Sequence, residues 1–189
     1  MTSSGTDPVS MRRIAVIASA SGNGKTTLAR DLARRLGVES IELDALVHGP
    51  NWTETPDAEL RERLTPMLAR DTWVCDGTYR NKLGDLVLDA ADTVIWLDLS
   101  IVVWLPRLVR RTSRRIRHRE VLWNGNRETL KGAIGSRDAL IPYALRMHVQ
   151  RRRTWPKELA RWPVVRLRST RAVRDFLSRV EPGHPKSPS

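Results

Sequence analysis

Residues 14–36, IAVIASASGNGKTTLARDLARRL, constrain this chain more than any other stretch. A β-branched apolar run leads into Ser19-Ala20-Ser21-Gly22-Asn23-Gly24-Lys25-Thr26-Thr27, and an amphipathic helix follows at once. Strand, glycine-bearing turn and helix in that order form the local setting of a phosphate-binding loop. Gly22 and Gly24 let the backbone curl so that successive N–H groups converge on a polyphosphate. Lys25 is placed to reach the β- and γ-phosphates and the Thr26 hydroxyl to sit on Mg²⁺. The positive end of the following helix adds to the field. Ser21, Gly22, Asn23, Gly24, Lys25, Thr26 and Thr27 therefore read as nucleotide-binding residues. One position departs from the usual G-x-x-x-x-G-K-[ST] spacing, because Ser19 stands where its first glycine belongs.

The 189 residues suffice for one domain with a sizeable core. Pro, Ser and Gly dominate residues 1–11 and 181–189, so both ends are expected to be disordered around a domain at 12–180. Cys75 is the only cysteine, which rules out an internal disulfide and fits a reducing compartment. The longest apolar stretch, near 93–109, is interrupted by Asp98, Pro106 and Arg107 and is too broken to span a bilayer. The opening residues are polar and do not read as a signal peptide, so the expected location is the cytoplasm. The net charge of +12 is unevenly placed. Residues 1–100 carry 11 Lys/Arg against 15 Asp/Glu, whereas residues 101–180 carry 21 against 5. That asymmetry reads either as a surface for an anionic partner or as arginines decorating solvated helix faces.

Apolar β-rich runs alternate with helical segments, the pattern of an α/β domain with a parallel sheet. Strands are expected at about 13–18, 39–43, 72–76, 93–98 and 163–168. Helices are expected at about 25–36, 57–70, 80–90, 101–117, 127–148, 156–161 and 170–180. The phosphate loop, Asp44, Asp76 and Asp98 all fall at strand C-termini, where open α/β sheets bind ligands.

Asp76 ends a buried strand and precedes Gly77; it reads as a Mg²⁺ ligand or as part of an Asp-Gly turn. Asp44 reads as the group that orients or deprotonates a substrate hydroxyl, or as a helix N-cap. Beyond Asp98, offsets of three and four line up Arg107, Arg111, Arg114 and Arg115, with Arg110 beside them. Such a stripe can stack on a base and fork onto phosphates, or simply coat a solvated face. Arg127, in the turn-rich Trp123-Asn124-Gly125-Asn126-Arg127, could reach into the site from a flap. Arg151-Arg152-Arg153-Thr154-Trp155 is the one local candidate for contact with nucleic acid.

Taken in order, these motifs resemble the adenylate-kinase-like P-loop kinases over roughly residues 12–180. Within that group the chain looks most similar to the small kinase-like DNA topology modulation proteins. The likeness rests on ASASGNGKTTLA, on LDALVHGPNW, on DGTYR, on Asp98 followed by Arg107 and Arg111, and on WNGNRE. It implies a three-layer P-loop NTPase fold whose five parallel strands are ordered 2-3-1-4-5, with a lid region at about 112–130. It further implies that Arg80 grips the acceptor, that Arg107 stacks on adenine and that Arg111 meets phosphate. A zinc-bearing lid is excluded by the single cysteine, and the acceptor region departs from that of adenylate kinases.

The expected activity is transfer of the γ-phosphoryl of Mg-ATP to a small acceptor, a nucleoside or nucleotide. Lys25, Asp44, Arg111 and Arg127 are the catalytic candidates, Thr26 and Asp76 the metal ligands, and Asp44 and Arg80 the acceptor contacts. Two rival readings stand beside it: an ATP-binding regulator that works on nucleic acid, and a protein that binds ATP without turning it over. Weak, salt-sensitive binding to nucleic acid is expected of any chain this basic. Either a monomer or a homodimer is compatible with the sequence.

Overall fold

Two faces of one parallel sheet account for most of the buried apolar surface. The computed structural model describes residues 11–136 and 139–180. The ends expected to be disordered lie outside these, except Met11, which is buried beside Ile14 and Val16. The strands are β1 (Arg13–Ala18), β2 (Ser40–Glu42), β3 (Trp73–Asp76), β4 (Thr93–Leu97) and β5 (Val164–Leu167). All neighbours pair in parallel, in the order β2-β3-β1-β4-β5. β1 sits at the centre and is apolar from Ile14 to Ala18, as befits a strand covered on both faces. The pleat sends Ile14, Val16 and Ala18 toward α1 (Lys25–Leu36), and Ala15 and Ile17 toward the opposite layer. Val16 is in register with Asp76 and Ala18 with Leu97, so the phosphate loop and both strand-ending carboxylates share one edge.

Three helical readings from sequence need correction. The segment after Leu43 is a one-turn helix, α2 (Leu43–Val47), so Asp44 lies inside a first turn instead of capping it. The expected helix at 80–90 is two pieces, α4 (Arg80–Leu83) and α5 (Leu86–Ala90), because Gly84 turns the chain with a φ of 61°. The expected helices at 127–148 and 156–161 are instead α7 (Leu130–Ile134) and α8 (Leu140–Glu158). α7 starts where Thr129 accepts a bond from the Gly132 N–H and stops at Gly135. α8 runs on through the arginine triplet because Ala144, His148 and Trp155 bury one of its faces. α3 (Asp57–Leu68), α6 (Ile101–Arg117) and α9 (Thr170–Arg179) lie where expected. No helix among the described residues is long and apolar enough to cross a membrane.

Beneath the phosphate loop, the carboxylate of Asp98 is 1% exposed and holds four parts of the chain together. It accepts a 2.9 Å bond from the Ser19 hydroxyl and two from the Arg166 guanidinium, at 2.6 and 3.0 Å. Arg152 Nε of α8 stands 3.3 Å away. Ser19 in turn accepts a 2.8 Å bond from the Trp96 indole, on whose face Arg166 rests at 4.0 Å. Removing one partner of a buried charge strands the other. Arg166→Met is expected to cost about 3 kcal/mol, read as a lower urea midpoint at unchanged slope. Asp98→Asn combined with Arg166→Met should cost clearly less than the two single changes added, since no charge is left stranded.

Candidate active site

The phosphate loop owes its shape to close packing beneath it. Gly22 has a φ of 83°, and a Cβ there would stand 2.8 Å from the Trp104 carbonyl and 2.9 Å from Leu108 Cβ. Only glycine lets the loop seat on α6 at that distance. The Asn23 side chain turns inward, donating to the Ala20 carbonyl at 2.9 Å and accepting from the Leu99 N–H at 3.0 Å. The loop is thereby pinned on both sides before any ligand arrives. Ser21, Gly22, Asn23, Gly24, Lys25, Thr26 and Thr27 all line a cleft of about 1350 Å³.

Lys25 Nζ lies 2.7 Å from Asp76 Oδ1. The second oxygen of this buried carboxylate, Oδ2, has no hydrogen-bond partner among the described residues. A buried carboxylate with an oxygen lacking any donor among the described residues suits Mg²⁺, which takes few protein oxygens and completes its shell with water and phosphate; Asp76 lies beneath the cleft surface and is not itself among the lining residues. No cluster of three or more His, Cys, Asp or Glu able to hold a metal by itself occurs among the described residues. Asp76 and Thr26 are donors of the kind that fit a phosphate-bound Mg²⁺. Gly77, at a φ of 106°, makes the approach of Lys25 feasible, since a Cβ there would lie 2.9 Å from its Nζ.

Arg107, Arg111, Arg114 and Arg115 line the same cleft. Two of them already have carboxylate partners: Arg114 pairs with Glu120 at 2.8 Å and Arg115 with Glu128 at 2.7 Å. Arg107 and Arg111 have no ion-pair partner among the described residues, and Arg111 Nε is buried without a hydrogen bond. Burial first, and then the neighbouring Arg115, lower the pKa of Arg111 from its ordinary value. An anion in the cleft would relieve both.

The part of the cleft around Asp44 is built from two segments far apart in sequence. Asp44 Oδ1 accepts a 2.7 Å bond from the Tyr79 hydroxyl, whose oxygen lies 3.1 Å from His48 Nε2. Because Tyr79 gives its only proton to Asp44, His48 serves as donor from Nε2. Burial and the adjacent Asp44 raise the Tyr79 pKa well above its ordinary value, so the phenol stays a donor. The segment at 123–127 docks on this chain of groups. Asn126 Oδ1 accepts from the Trp52 N–H at 2.8 Å, Asn126 Nδ2 donates to the Gly49 carbonyl at 2.8 Å, and Asn124 Nδ2 to the His48 carbonyl at 2.5 Å. In the sequence, 123–127 reads as a turn and 49–52 as the end of the LDALVHGPNW motif; only the fold shows that they bind each other.

Three placements depart from the expectations. Arg80 does not line the cleft: it bonds Asp85 at 2.7 Å and Glu158 at 2.8 Å on the α5–α8 side. Its position at the start of α4, after a left-handed Tyr79 with a φ of 42°, swings the side chain away. Arg127 is exposed and offers its backbone carbonyl to the Trp52 indole N–H at 3.3 Å, and it is not part of the cleft wall. The arginine triplet of α8 does not form one patch. Arg151 lines the cleft and donates to the Ala18 carbonyl at 3.1 Å, whereas Arg152 turns to Asp98. Successive helix residues diverge by about 100°, so adjacent arginines cannot share one face.

No family model matches this chain, and no curated protein matches it in sequence. Solved structures do match in fold. Shikimate kinase from Acinetobacter baumannii, in complex with shikimate, is 19% identical with a TM-score of 0.52, over 90% of this chain and 91% of that one. Deoxyadenosine kinase from M. mycoides is 10% identical with a TM-score of 0.50, over 87% and 96%. A gluconokinase from Sinorhizobium meliloti 1021 is 18% identical with a TM-score of 0.50, over 89% of each chain. The five-stranded parallel sheet with flanking helices is thus the P-loop NTPase kinase fold. The neighbours are named for different acceptors, so the shared fold does not select one.

Gly77→Ala tests the geometry around Lys25. The added methyl must displace the ammonium or shift a backbone held at positive φ, so affinity for a nucleoside triphosphate should fall at least about tenfold in a calorimetric titration. Unchanged affinity would show that the spacing of Gly77, Lys25 and Asp76 is immaterial.

Proposed function

We propose that this chain is a cytoplasmic P-loop kinase that moves the γ-phosphoryl group of Mg-ATP to a hydroxyl of a small acceptor, a nucleoside or nucleotide. On the order of its motifs we read it as adenylate-kinase-like, near the small DNA topology modulation proteins. The observation that carries the reading is one cleft lined together by the phosphate loop with Lys25, by Arg107 and Arg111, which have no ion-pair partner among the described residues, and by Asp44. Its volume of about 1350 Å³ exceeds the ~300–1,000 Å³ typical of a pocket for one small ligand, which leaves room for donor and acceptor together.

The roles follow from position. Backbone N–H groups of Ser21–Thr27 and the N-terminus of α1 cradle the phosphates. Asp76 Oδ2 and Thr26 would hold Mg²⁺, which neutralises charge on the β- and γ-phosphates. Lys25 moves from Asp76 to the phosphates as metal and nucleotide enter. Arg107 and Arg111 face the nucleotide and the transferring phosphoryl group, with charges preorganised before reaction. Asp44, with Oδ1 fixed by Tyr79, presents Oδ2 to the acceptor hydroxyl. As the acceptor oxygen bonds to the γ-phosphorus, its proton passes to Asp44; the bond to the β,γ-bridging oxygen breaks, and ADP leaves with the electron pair. Arg127, outside the cleft lining, would reach the site only if the 123–127 segment shifted. For the rival reading as a nucleic-acid-associated regulator, the arginine triplet does not offer one shared face, since Arg151 turns to the Ala18 carbonyl and Arg152, still exposed, stands beside Asp98.

ATP turnover against a panel of nucleosides, nucleotides and small hydroxyl compounds tests the proposal. Lys25→Ala should lower phosphoryl transfer at least ~100-fold while the circular dichroism spectrum is unchanged. Equal turnover in variant and parent would remove the phosphate-loop assignment.

A further inference from the structure

The acceptor end of the cleft has a chemistry of its own. His48 lies within 5.4 Å of the Trp52 ring, 6.1 Å of the Trp123 ring and 6.2 Å of the Tyr79 ring, centroid to centroid. All four rings line the cleft. Both indoles have their polar atoms engaged elsewhere: the Trp52 N–H goes to the Arg127 carbonyl and the Trp123 N–H to Glu42 Oε1, each at 3.3 Å. What they offer the cleft is ring surface. Trp52 remains 41% exposed at a φ of 58°, a left-handed backbone that a bulky residue avoids unless something fixes it there. Asn126 does the fixing, through its bond to the Trp52 N–H. His48 fills the space between the other three rings, with Trp52 and Tyr79 edge-on to it at 76° and 73° and Trp123 tilted by 34°, so no hollow is left between them for an ammonium group.

The charges at this end are equally selective. Asp44 and Glu42 are the carboxylates there, and Glu42 is already paired with Arg30 at 3.1 Å. Arg115 is taken by Glu128, and Arg80 points away to Asp85 and Glu158. Arg111, which has no carboxylate partner among the described residues, is coupled electrostatically to Asp44. An acceptor bearing its own phosphate or carboxylate would set a second anion beside Asp44 and compete with the transferring phosphoryl group for Arg111.

We propose, on the basis of the kinase reading above, that the acceptor is an uncharged nucleoside. Its flat base lies on the Trp123 ring, with His48 and Trp52 at its margin, and its sugar hydroxyl meets Asp44 Oδ2. Base–aromatic stacking supplies the affinity and Asp44 the orientation. Nucleotides, sugar acids and amino alcohols are rejected, the first two by charge and the last by the lack of an enclosing cage.

Two measurements on the full chain test this independently of each other. The first follows transfer from radiolabelled ATP to adenosine, cytidine, guanosine and thymidine, to their 5′-monophosphates, to gluconate and shikimate, and to choline. The second measures calorimetric Kd values of the same nucleosides, and of ATP, for the parent, Trp123→Leu and Trp123→Phe. At least one nucleoside should be phosphorylated in preference to its monophosphate. Trp123→Leu should raise the Kd of that nucleoside at least tenfold and leave that of ATP within twofold, while Trp123→Phe, which keeps a ring, should stay within about threefold of the parent. Nucleoside binding that depends on Trp123 but leads to no transfer supports the pocket and overturns the kinase reading. Preferred transfer to a monophosphate, an acid or choline overturns the nucleoside proposal and leaves the kinase reading intact. Absence of nucleoside binding, or a nucleoside Kd indifferent to Trp123→Leu, also overturns it.

Discussion

The buried carboxylate of Asp98 is the interaction on which the phosphate loop depends. A charge this deep survives only if every lone pair finds a partner. It finds them in Ser19 at the start of the loop, Arg166 on β5 and Arg152 on α8, three segments that are far apart in sequence. The consequence runs outward: Ser19 is fixed, the loop leaves β1 at a fixed angle, and Gly22 then fits against α6 with no space for a side chain. Arg151, one residue from Arg152, braces the Ala18 carbonyl from the far side. The preorganisation that phosphoryl transfer needs is thus stored in the folded chain and not created by the ligand.

The same hub explains the departure of Ser19 from the usual glycine. A glycine there would leave Asp98 Oδ1 without the hydroxyl it accepts from, and the Trp96 indole without the oxygen it donates to. Serine is thus part of the scaffold. Its hydroxyl is buried and does not face the cleft, so the loop can lose the glycine without losing its phosphate-binding backbone.

How far the sequence could be read depended on whether the signal was local. The β1–loop–α1 unit was legible because its residues are contiguous: the apolar run, the two glycines and the Leu28–Leu32 face of α1 all lie within 14–36. The strand order came only with the family resemblance. Asp44 stood out from its place at a strand end, but its partners were not legible, since Tyr79 and His48 join it only through contacts spanning 35 and 31 residues. Likewise, Asn124 and Asn126 read as turn residues, although their side chains reach 76 and 77 positions back to clasp the 48–49 backbone. Arg80 misled for the opposite reason. Its motif was local, but α4 and Asp85 redirected it after a left-handed turn that nothing in the motif announces.

The uneven charge of the chain finds its account in the same contacts. Arginines of the second half meet acids of the first across the sheet edge: Arg166 and Arg152 on Asp98, and Arg161 on Asp85 and Asp89. Others, Arg107, Arg111 and Arg151, turn toward the phosphate loop, where the ligand itself brings the missing negative charge. The second half therefore looks unbalanced only when it is counted apart from the first half and from the polyphosphate the cleft fits. Of the carboxylates that line the cleft, Asp31, Glu42 and Glu128 each have an arginine partner, whereas Asp44 has the Tyr79 hydroxyl instead.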